Sequence, residues 1–114
     1  MSRQPLIVGI GGTPRPGSSS ERALAIALEA AREAGARTLM FSGPELMIPI
    51  YTPDRAERTE ESSRVVQAMR ECDGLIVASP AYHGSVSGLI KNVLDYTEDL
   101  RDDPRVYLDG VAVG

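Results

Sequence analysis

Two short apolar runs, each ending in turn residues, limit the possible folds of this chain more than any other feature of its sequence. Residues 6–12 read Leu-Ile-Val-Gly-Ile-Gly-Gly, and residues 74–79 read Gly-Leu-Ile-Val-Ala-Ser. Apolar runs of this length are typical of strands that are buried on both faces, as the strands of a parallel sheet are. A chain that contains two of them needs helices to cover both faces of the sheet.

Three segments have the spacing of the helices that such a sheet requires. They are residues 21–34, 59–71 and 87–100. In the first of them Leu24 and Leu28 recur four residues apart, and Gly35 is the expected stop. Ser18 and Glu21 fit a capping box, which places the start of this helix inside the serine run.

The remaining segments complete an alternating pattern. A weaker strand is predicted at residues 37–42, an irregular stretch with three prolines at 43–58, and the beginning of a further strand at 111–114. Strands that alternate with helices indicate the α/β class with a parallel sheet and right-handed crossovers. The two strongest strands should be central and adjacent, which is the flavodoxin-like order 2-1-3-4-5 in a three-layer sandwich, its last strands missing or incomplete here. We expect residues 1–114 to form a single domain that binds its ligand beyond the carboxyl ends of strands one and three.

The loop after the first predicted strand carries the groups that a phosphate monoester needs. Residues 13–20 read Thr-Pro-Arg-Pro-Gly-Ser-Ser-Ser and open a helix, whose N-terminus carries partial positive charge. Arg15 adds charge and directional donors, Gly17 allows close backbone approach, and the capping box has to turn the carboxylate of Glu21 away. Such a loop can also be only a helix cap, but its position after a central strand favours phosphate binding. The candidate phosphate-binding residues are Thr13, Arg15, Gly17, Ser18, Ser19 and Ser20.

The sequence does not match three other motifs associated with phosphate, and in each case a particular residue excludes the match. A P-loop needs Gly-Lys-Ser/Thr, and the only lysine is Lys91. A dinucleotide-binding Gly-x-Gly-x-x-Gly that starts at Gly9 has Pro14 at its third glycine position. A phosphoacceptor receiver domain needs an aspartate at the end of the third strand, where Ser79 stands instead.

The loop after the third strand offers a surface for a planar ring. Residues 80–85 read Pro-Ala-Tyr-His-Gly-Ser, and Tyr82 is one of only a few aromatic residues in the chain. Its ring can stack on a ligand or simply cover the end of the sheet. His83 is the only histidine, and we expect it to orient the loop or contact the ligand's edge rather than act as an acid or base. The candidate ring-binding residues are Pro80, Ala81, Tyr82, His83, Gly84 and Ser85.

Composition argues against several other functions. A net charge of −4 without a basic stripe argues against a nucleic-acid partner. No run approaches the ~18 apolar residues of a membrane span, and the N-terminal segment lacks a signal-peptide layout, so we expect a cytoplasmic protein. The single cysteine, Cys72, can form neither an intrachain disulfide nor a zinc site, and its place at the end of a predicted helix indicates a small buried residue.

Four stretches of the sequence together resemble one family of flavoproteins. They read Gly-Gly-Thr13-x-Arg15-x-Gly17-Ser18-x-Ser20, then Leu46-x-x-Pro49-x-Tyr51-x-Pro53-Asp54, then Ser79-Pro80-x-Tyr82-x-Gly84-Ser85-x-x-Gly88-x-x-Lys91-Asn92-x-x-Asp95, and finally Tyr107-Leu108-Asp109-Gly110-x-Ala112-Val113. The third stretch is the most specific, and the first is shared loosely with related flavodoxin-like flavoproteins. On these motifs, which span essentially the whole chain, the sequence resembles the NADPH-dependent FMN reductase family.

The resemblance implies a cofactor, a reaction and an assembly. FMN would place its phosphate on Thr13, Arg15, Ser18 and Ser20 and its isoalloxazine ring against residues 80–85. NADPH or NADH would deliver a hydride to the flavin, for onward transfer to free flavin for a monooxygenase, a quinone or an azo compound. A homodimer or homotetramer is implied, with structural or interface roles for Lys91, Asn92 and Asp95. No catalytic side chain and no metal is expected, because the cofactor carries the chemistry.

Two other functions remain open. An electron-transfer flavodoxin is typically more acidic and sandwiches its flavin between aromatic rings, whereas this chain has a net charge of −4, no Trp and one Phe. An inactive flavin-binding fragment is favoured by length, because family members are longer by further strands and helices. We expect that those later residues are missing from this sequence, rather than that a shortened product folds alone.

Overall fold

Parallel strands alternate with helices along the chain. The computed structural model describes residues 4–54 and 57–114. The strands are β1 (Leu6–Gly11), β2 (Arg37–Phe41), β3 (Gly74–Ala78) and β4 (Ala112–Val113), and the α-helices are α1 (Ser19–Glu33), α2 (Glu60–Glu71) and α3 (Gly88–Asp95). Short 3-10 helices span Gly43–Leu46, Tyr82–Gly84 and Tyr96–Leu100. None of the helices in these two ranges is long and apolar enough to cross a membrane.

The sheet has the predicted order. Its four strands are arranged β2-β1-β3-β4, and the pairings of β1 with β2, β1 with β3, and β3 with β4 are all parallel. In the centre, Ile10 of β1 lies opposite Val77 of β3. Strand β4 contributes two residues at the edge, with Ala112 opposite Gly74. The flavodoxin-like order is therefore confirmed, with its switch point between β1 and β3.

The two faces of the sheet are covered in different ways. On one face, Val8 and Ile10 are fully buried in a core that α2 and α3 complete with residues such as Met69 and Ile90. On the other face α1 lies directly on Gly9. A Cβ atom added at Gly9 would lie 2.7 Å from side-chain carbons of both Leu24 and Leu28, so a larger residue here would require these leucine side chains to shift.

The predicted helix boundaries are confirmed at some ends and wrong at others. Helix α1 begins at Ser19, two residues before the predicted start, and it ends before Gly35, which has a φ of 103°. The third helix was expected to run to residue 100, but its α-helical part ends at Asp95 and continues as the 3-10 helix Tyr96–Leu100. The hydroxyl of Thr97 donates to the carbonyl of Leu94 at 2.7 Å, and such local bonds compete with the regular helical ladder.

The C-terminal end of α2 is capped by a distant arginine. The guanidinium of Arg105 donates to the carbonyls of Met69 (2.8 Å), Arg70 (2.7 Å) and Cys72 (2.7 Å). A cation at this end of a helix also interacts favourably with the helix dipole. Arg105 therefore ties the segment before β4 to the core helix.

Replacement of Arg105 by glutamine is expected to lower the free energy of unfolding by about 2 kcal/mol, because the helix end loses a charge and most of three hydrogen bonds. Chemical denaturation measures this change. Arg101→Gln, at an exposed position nearby, is the matched control and should change stability by less than about 0.5 kcal/mol. Equal losses in the two variants would contradict a capping role for Arg105.

Candidate functional site

A cavity lies at the carboxyl ends of β1 and β3, where the strand order reverses. Its volume is about 770 Å³, within the ~300–1,000 Å³ of typical small-molecule sites. The lining residues are Thr13, Pro14, Arg15, Ser18, Ser19, Ser20, Ser79, Pro80 and Tyr82. The two loops that the sequence singled out therefore meet in one place.

The cavity includes most of the predicted phosphate-binding residues and fewer of the predicted ring-binding ones. Of the twelve candidates, Gly17, Ala81, His83, Gly84 and Ser85 are not among its lining residues. Pro14 and Ser79 line it without having been proposed. Ser79 could have been found from the sequence, because it directly follows a buried strand at the switch point.

The hydroxyl groups of the first loop converge on the start of α1. The Ser18 side chain is buried and caps the helix by accepting from the N–H of Glu21 at 3.2 Å. The hydroxyls of Ser18 and Ser20 lie 3.3 Å apart, and the Thr13 hydroxyl accepts from the N–H of Arg15 at 3.2 Å. The first N–H groups of a helix have no partner within it. This end of the cavity is therefore rich in donors and carries positive potential.

The contact made by Glu21 differs in one detail from the predicted capping box. Its carboxylate accepts from the N–H of Gly17 at 3.3 Å, rather than from the N–H of the cap residue Ser18. The φ of Gly17 is 72°, a left-handed conformation that glycine adopts without strain and that turns its N–H toward the helix. Glu21 does not line the cavity, so its negative charge is turned away as expected.

The two loops touch through a glycine. A Cβ atom added at Gly12 would lie 2.8 Å from the Cα of Ser79, 2.9 Å from the carbonyl oxygen of Ala78 and 2.9 Å from a side-chain carbon of Ile90. No side chain fits between these groups. The first loop can approach the second this closely because Gly12 has no side chain.

The second loop is exposed and contains a left-handed turn. All residues from 81 to 86 are exposed, and the side chain of Tyr82 is 59% exposed beside the cavity. His83 has a φ of 52° and Gly84 a φ of 78°. Positive φ is uncommon for a residue other than glycine and often marks a functional site.

Helix α3 connects this loop to the segment that follows β2. The side chain of Asn92 accepts from the N–H of Tyr51 at 2.8 Å and donates to the carbonyls of Ile48 (3.3 Å) and Pro49 (3.0 Å). The Tyr96 hydroxyl also donates to the carbonyl of Pro49 at 2.8 Å. Asn92 therefore holds the neighbouring segment in place, which gives the Asn of the motif a structural role.

A charged cluster lies apart from the cavity. Arg58 binds Asp99 through two hydrogen bonds of 2.7 and 2.9 Å, and its guanidinium stacks over the ring of Tyr51 at 5.0 Å. Both charged side chains are mostly buried. The Arg58 guanidinium holds the pKa of Asp99 below its ordinary value, although burial works in the opposite direction.

This pair predicts a pH dependence of stability. Since the pKa of Asp99 is lower in the folded chain than in the unfolded one, its contribution is present above the unfolded value of about 3.9. That contribution is lost as the pH falls through the folded value. Asp99→Asn should therefore destabilise the chain by about 2 kcal/mol at pH 7 and flatten the loss of stability below about pH 4. Urea unfolding at several pH values tests this prediction. It would be contradicted if Asp99→Asn lost stability at acid pH as steeply as the original chain. Asp102→Asn, at an exposed position, is the control.

The described residues offer no alternative centre for a metal. No group of three or more His, Cys, Asp or Glu side chains in residues 4–54 and 57–114 is arranged to hold an ion. Cys72 is buried, its thiol donates to the carbonyl of Met69, and burial raises the pKa of that thiol. A buried, protonated thiol is unreactive, so the prediction of a structural cysteine is confirmed.

Comparison with known proteins gives a consistent result. An iron-sulfur flavoprotein of Methanosarcina thermophila is 32% identical over 102 residues, which cover 83% of this chain and 53% of that protein. A quinone reductase of Escherichia coli (strain K12) is 34% identical over 61 residues, 50% of this chain and 32% of the relative. A solved NADH:FMN oxidoreductase, in its apo form, has a TM-score of 0.70 and 27% identity, over 96% of this chain and 56% of that one.

The match to a whole family covers more of the chain than either curated relative does. The chain spans about half the length of the curated iron-sulfur flavoprotein that it matches. By contrast, the profile of the family described as NADPH-dependent FMN reductase matches residues 5–113, nearly the entire sequence. The chain belongs to the NADPH-dependent FMN reductase family.

Proposed function

We propose that this chain binds FMN in the cavity between its two loops and is the flavin-binding part of an NAD(P)H-dependent oxidoreductase. The observation that carries the proposal is the cavity itself, since it joins a donor-rich helix start to an aromatic loop at the switch point of the sheet. Ligands of open α/β sheets bind at this position. Family membership supports the choice of FMN among ligands that have a phosphate and a planar ring.

The phosphate would be bound at the start of α1. Arg15 supplies positive charge, and the hydroxyls of Thr13, Ser18 and Ser20 lie where a phosphate oxygen can accept from them. The N–H groups of the first helical turn, including that of Ser19, add donors. The N–H of Gly17 already donates to Glu21, so Gly17 contributes to the conformation of the loop and not a donor to the phosphate.

The ring would lie against the second loop. Pro80 and Tyr82 line the cavity and offer apolar surface for the flat face of the isoalloxazine. Residues 81 and 83–85 lie outside the cavity lining, so their contacts with the ring's edge, and the orienting role of His83, stay predictions of the family resemblance. When FMN is bound, the hydride chemistry is that of the cofactor. The chain's own residues bind it, orient it and shield one side from water.

The acceptor, the choice between NADPH and NADH, a homodimer or homotetramer and a monooxygenase partner stay predictions of the family resemblance. A cytoplasmic location stays a prediction from the sequence composition and the N-terminal segment. The name of one relative includes an iron-sulfur centre. Such clusters are held by several cysteine thiolates, and these 114 residues contain only Cys72. No iron-sulfur centre is therefore part of the function that we propose for this chain.

A titration of the purified chain with FMN, followed by anaerobic addition of NADPH or NADH, tests the proposal. We expect the fluorescence of the flavin to change on binding, and its absorbance near ~450 nm to bleach when the nicotinamide nucleotide is added. Binding without bleaching would show that this chain alone is not a reductase, and would favour an electron carrier or a shortened enzyme that lacks its nicotinamide site. No binding would contradict the whole of it and favour an inactive fragment.

A further inference from the structure

Ser79 joins the two ends of the second loop. Its hydroxyl accepts from the N–H of Ser87 at 2.8 Å and donates to the carbonyl of Pro80 at 2.8 Å. Ser87 in turn caps α3, because its own hydroxyl accepts from the N–H of Ile90 at 3.2 Å. A single side chain therefore holds together the two ends of a loop that leaves β3 and returns to the start of α3. The place where Ser79 meets Ser87 is called the neck of the loop below.

The rest of this loop has little else to hold it. Within the described residues, the other hydrogen bonds of residues 81–86 are two turns inside the loop, from Gly84 to the carbonyl of Ala81 and from Ser85 to the carbonyl of Tyr82. All six residues are exposed. The neck at Ser79 is thus the loop's hydrogen-bonded attachment to the rest of the fold.

The turn at the loop's tip requires such an attachment. His83 adopts a φ of 52° and a ψ of 31°, a left-handed conformation that costs free energy for any residue with a Cβ atom. Conformations of this kind persist where the surrounding structure enforces them. With the tip in solvent, the constraints on His83 are the two turn hydrogen bonds within the loop and the closure of its neck.

The neck also lies at the cavity. Ser79, Pro80 and Tyr82 line it, and the Cα of Ser79 packs against Gly12 of the first loop. We infer that Ser79 is a positioning residue, whose hydroxyl closes the loop of residues 80–86 and thereby sets the position of Pro80 and Tyr82, which line the cavity for the flavin ring. This inference rests on the proposed function, since it assigns Ser79 a part in FMN binding.

The first test compares Ser79→Ala with Ser79→Thr. Alanine removes both hydrogen bonds of the neck, and we expect it to weaken FMN binding about tenfold and to shift the visible spectrum of the bound flavin. Threonine keeps the hydroxyl and should restore binding to within about threefold of the original chain. The control is Ser62→Ala, which removes a buried hydroxyl in α2 that bonds to Thr59, away from the cavity, and should leave FMN binding unchanged.

A second test examines the link to the turn. In a His83→Gly background the left-handed turn no longer costs free energy, so Ser79→Ala should weaken FMN binding by less than about threefold. Full additivity of the two substitutions would show that Ser79 does not act by holding His83, and would overturn that step.

A third measurement requires no flavin. The N–H of Ser87 should exchange with solvent more slowly in the original chain and in Ser79→Thr than in Ser79→Ala, because the hydroxyl protects it. If the original chain fails to bind FMN while this difference is seen, the proposed function fails and the closed neck stands. If FMN binds but Ser79→Ala binds it as well as the original chain, or if threonine fails to restore binding, the inference about Ser79 is overturned and the proposed function stands.

Discussion

Arg15→Gln is expected to weaken FMN binding by about 30-fold, which is the effect of removing a charged hydrogen bond to a phosphate. Among residues 4–54 and 57–114, Arg15 is the only cationic side chain that lines the cavity between the loops. Since riboflavin lacks the phosphate, its binding should change by less than about threefold in the same variant. Fluorescence titration with both flavins measures the two effects side by side.

Arg22→Gln is the matched control, because Arg22 lies on α1 one helical turn beyond the cap and does not line the cavity. It should leave both affinities near those of the original chain. High salt should reduce the difference between the original chain and Arg15→Gln, since screening weakens an exposed charge. An equal loss for FMN and riboflavin would contradict the placement of the phosphate at Arg15.

Gly12→Ala should have the second large effect, on stability and binding together. The added methyl group would lie 2.8 and 2.9 Å from backbone atoms of Ser79 and Ala78, and backbone cannot move aside as a flexible side chain can. We expect the melting temperature to fall by roughly 10 °C, corresponding to about 2–3 kcal/mol of overpacking. FMN binding should weaken too, because the two loops are pushed apart.

The control for this prediction is Gly88→Ala. Gly88 begins α3, and a Cβ atom added there meets nothing within 4 Å. Its substitution should be neutral or slightly stabilising, because alanine is the better helix former. A stable Gly12→Ala variant that binds FMN normally would show that the loops tolerate a wider separation than the structure indicates.

The sequence predicted those parts of the fold that depend on local patterns. The apolar runs of β1 and β3 could be recognised as central strands because both of their faces are buried, and the position of the cavity followed from their order. Ser18 was identifiable as a cap because capping is set by a few consecutive residues. These features need no knowledge of distant contacts.

Other parts of the site depend on contacts that no local pattern reveals. Arg105 caps α2 from more than thirty positions along the chain, and Asn92 binds a segment over forty positions away. The third helix changes to a 3-10 helix at Tyr96, whose hydroxyl bonds to Pro49 more than forty positions away. Likewise, local sequence did not reveal that Ala81, His83, Gly84 and Ser85 lie outside the cavity lining; their contacts with a flavin stay predictions.

Some positions of the second loop can vary because they are exposed and lie outside the family motif. Substitutions at exposed positions that remove no buried contact usually change stability by no more than about 0.5 kcal/mol, so residues such as Ala81 and Val86 can be exchanged without weakening the core. Gly12 and Ser79, by contrast, are each in contact with both sides of the cavity. Evolution or design could therefore change the exposed residues beside the cavity while Gly12 and Ser79 are kept.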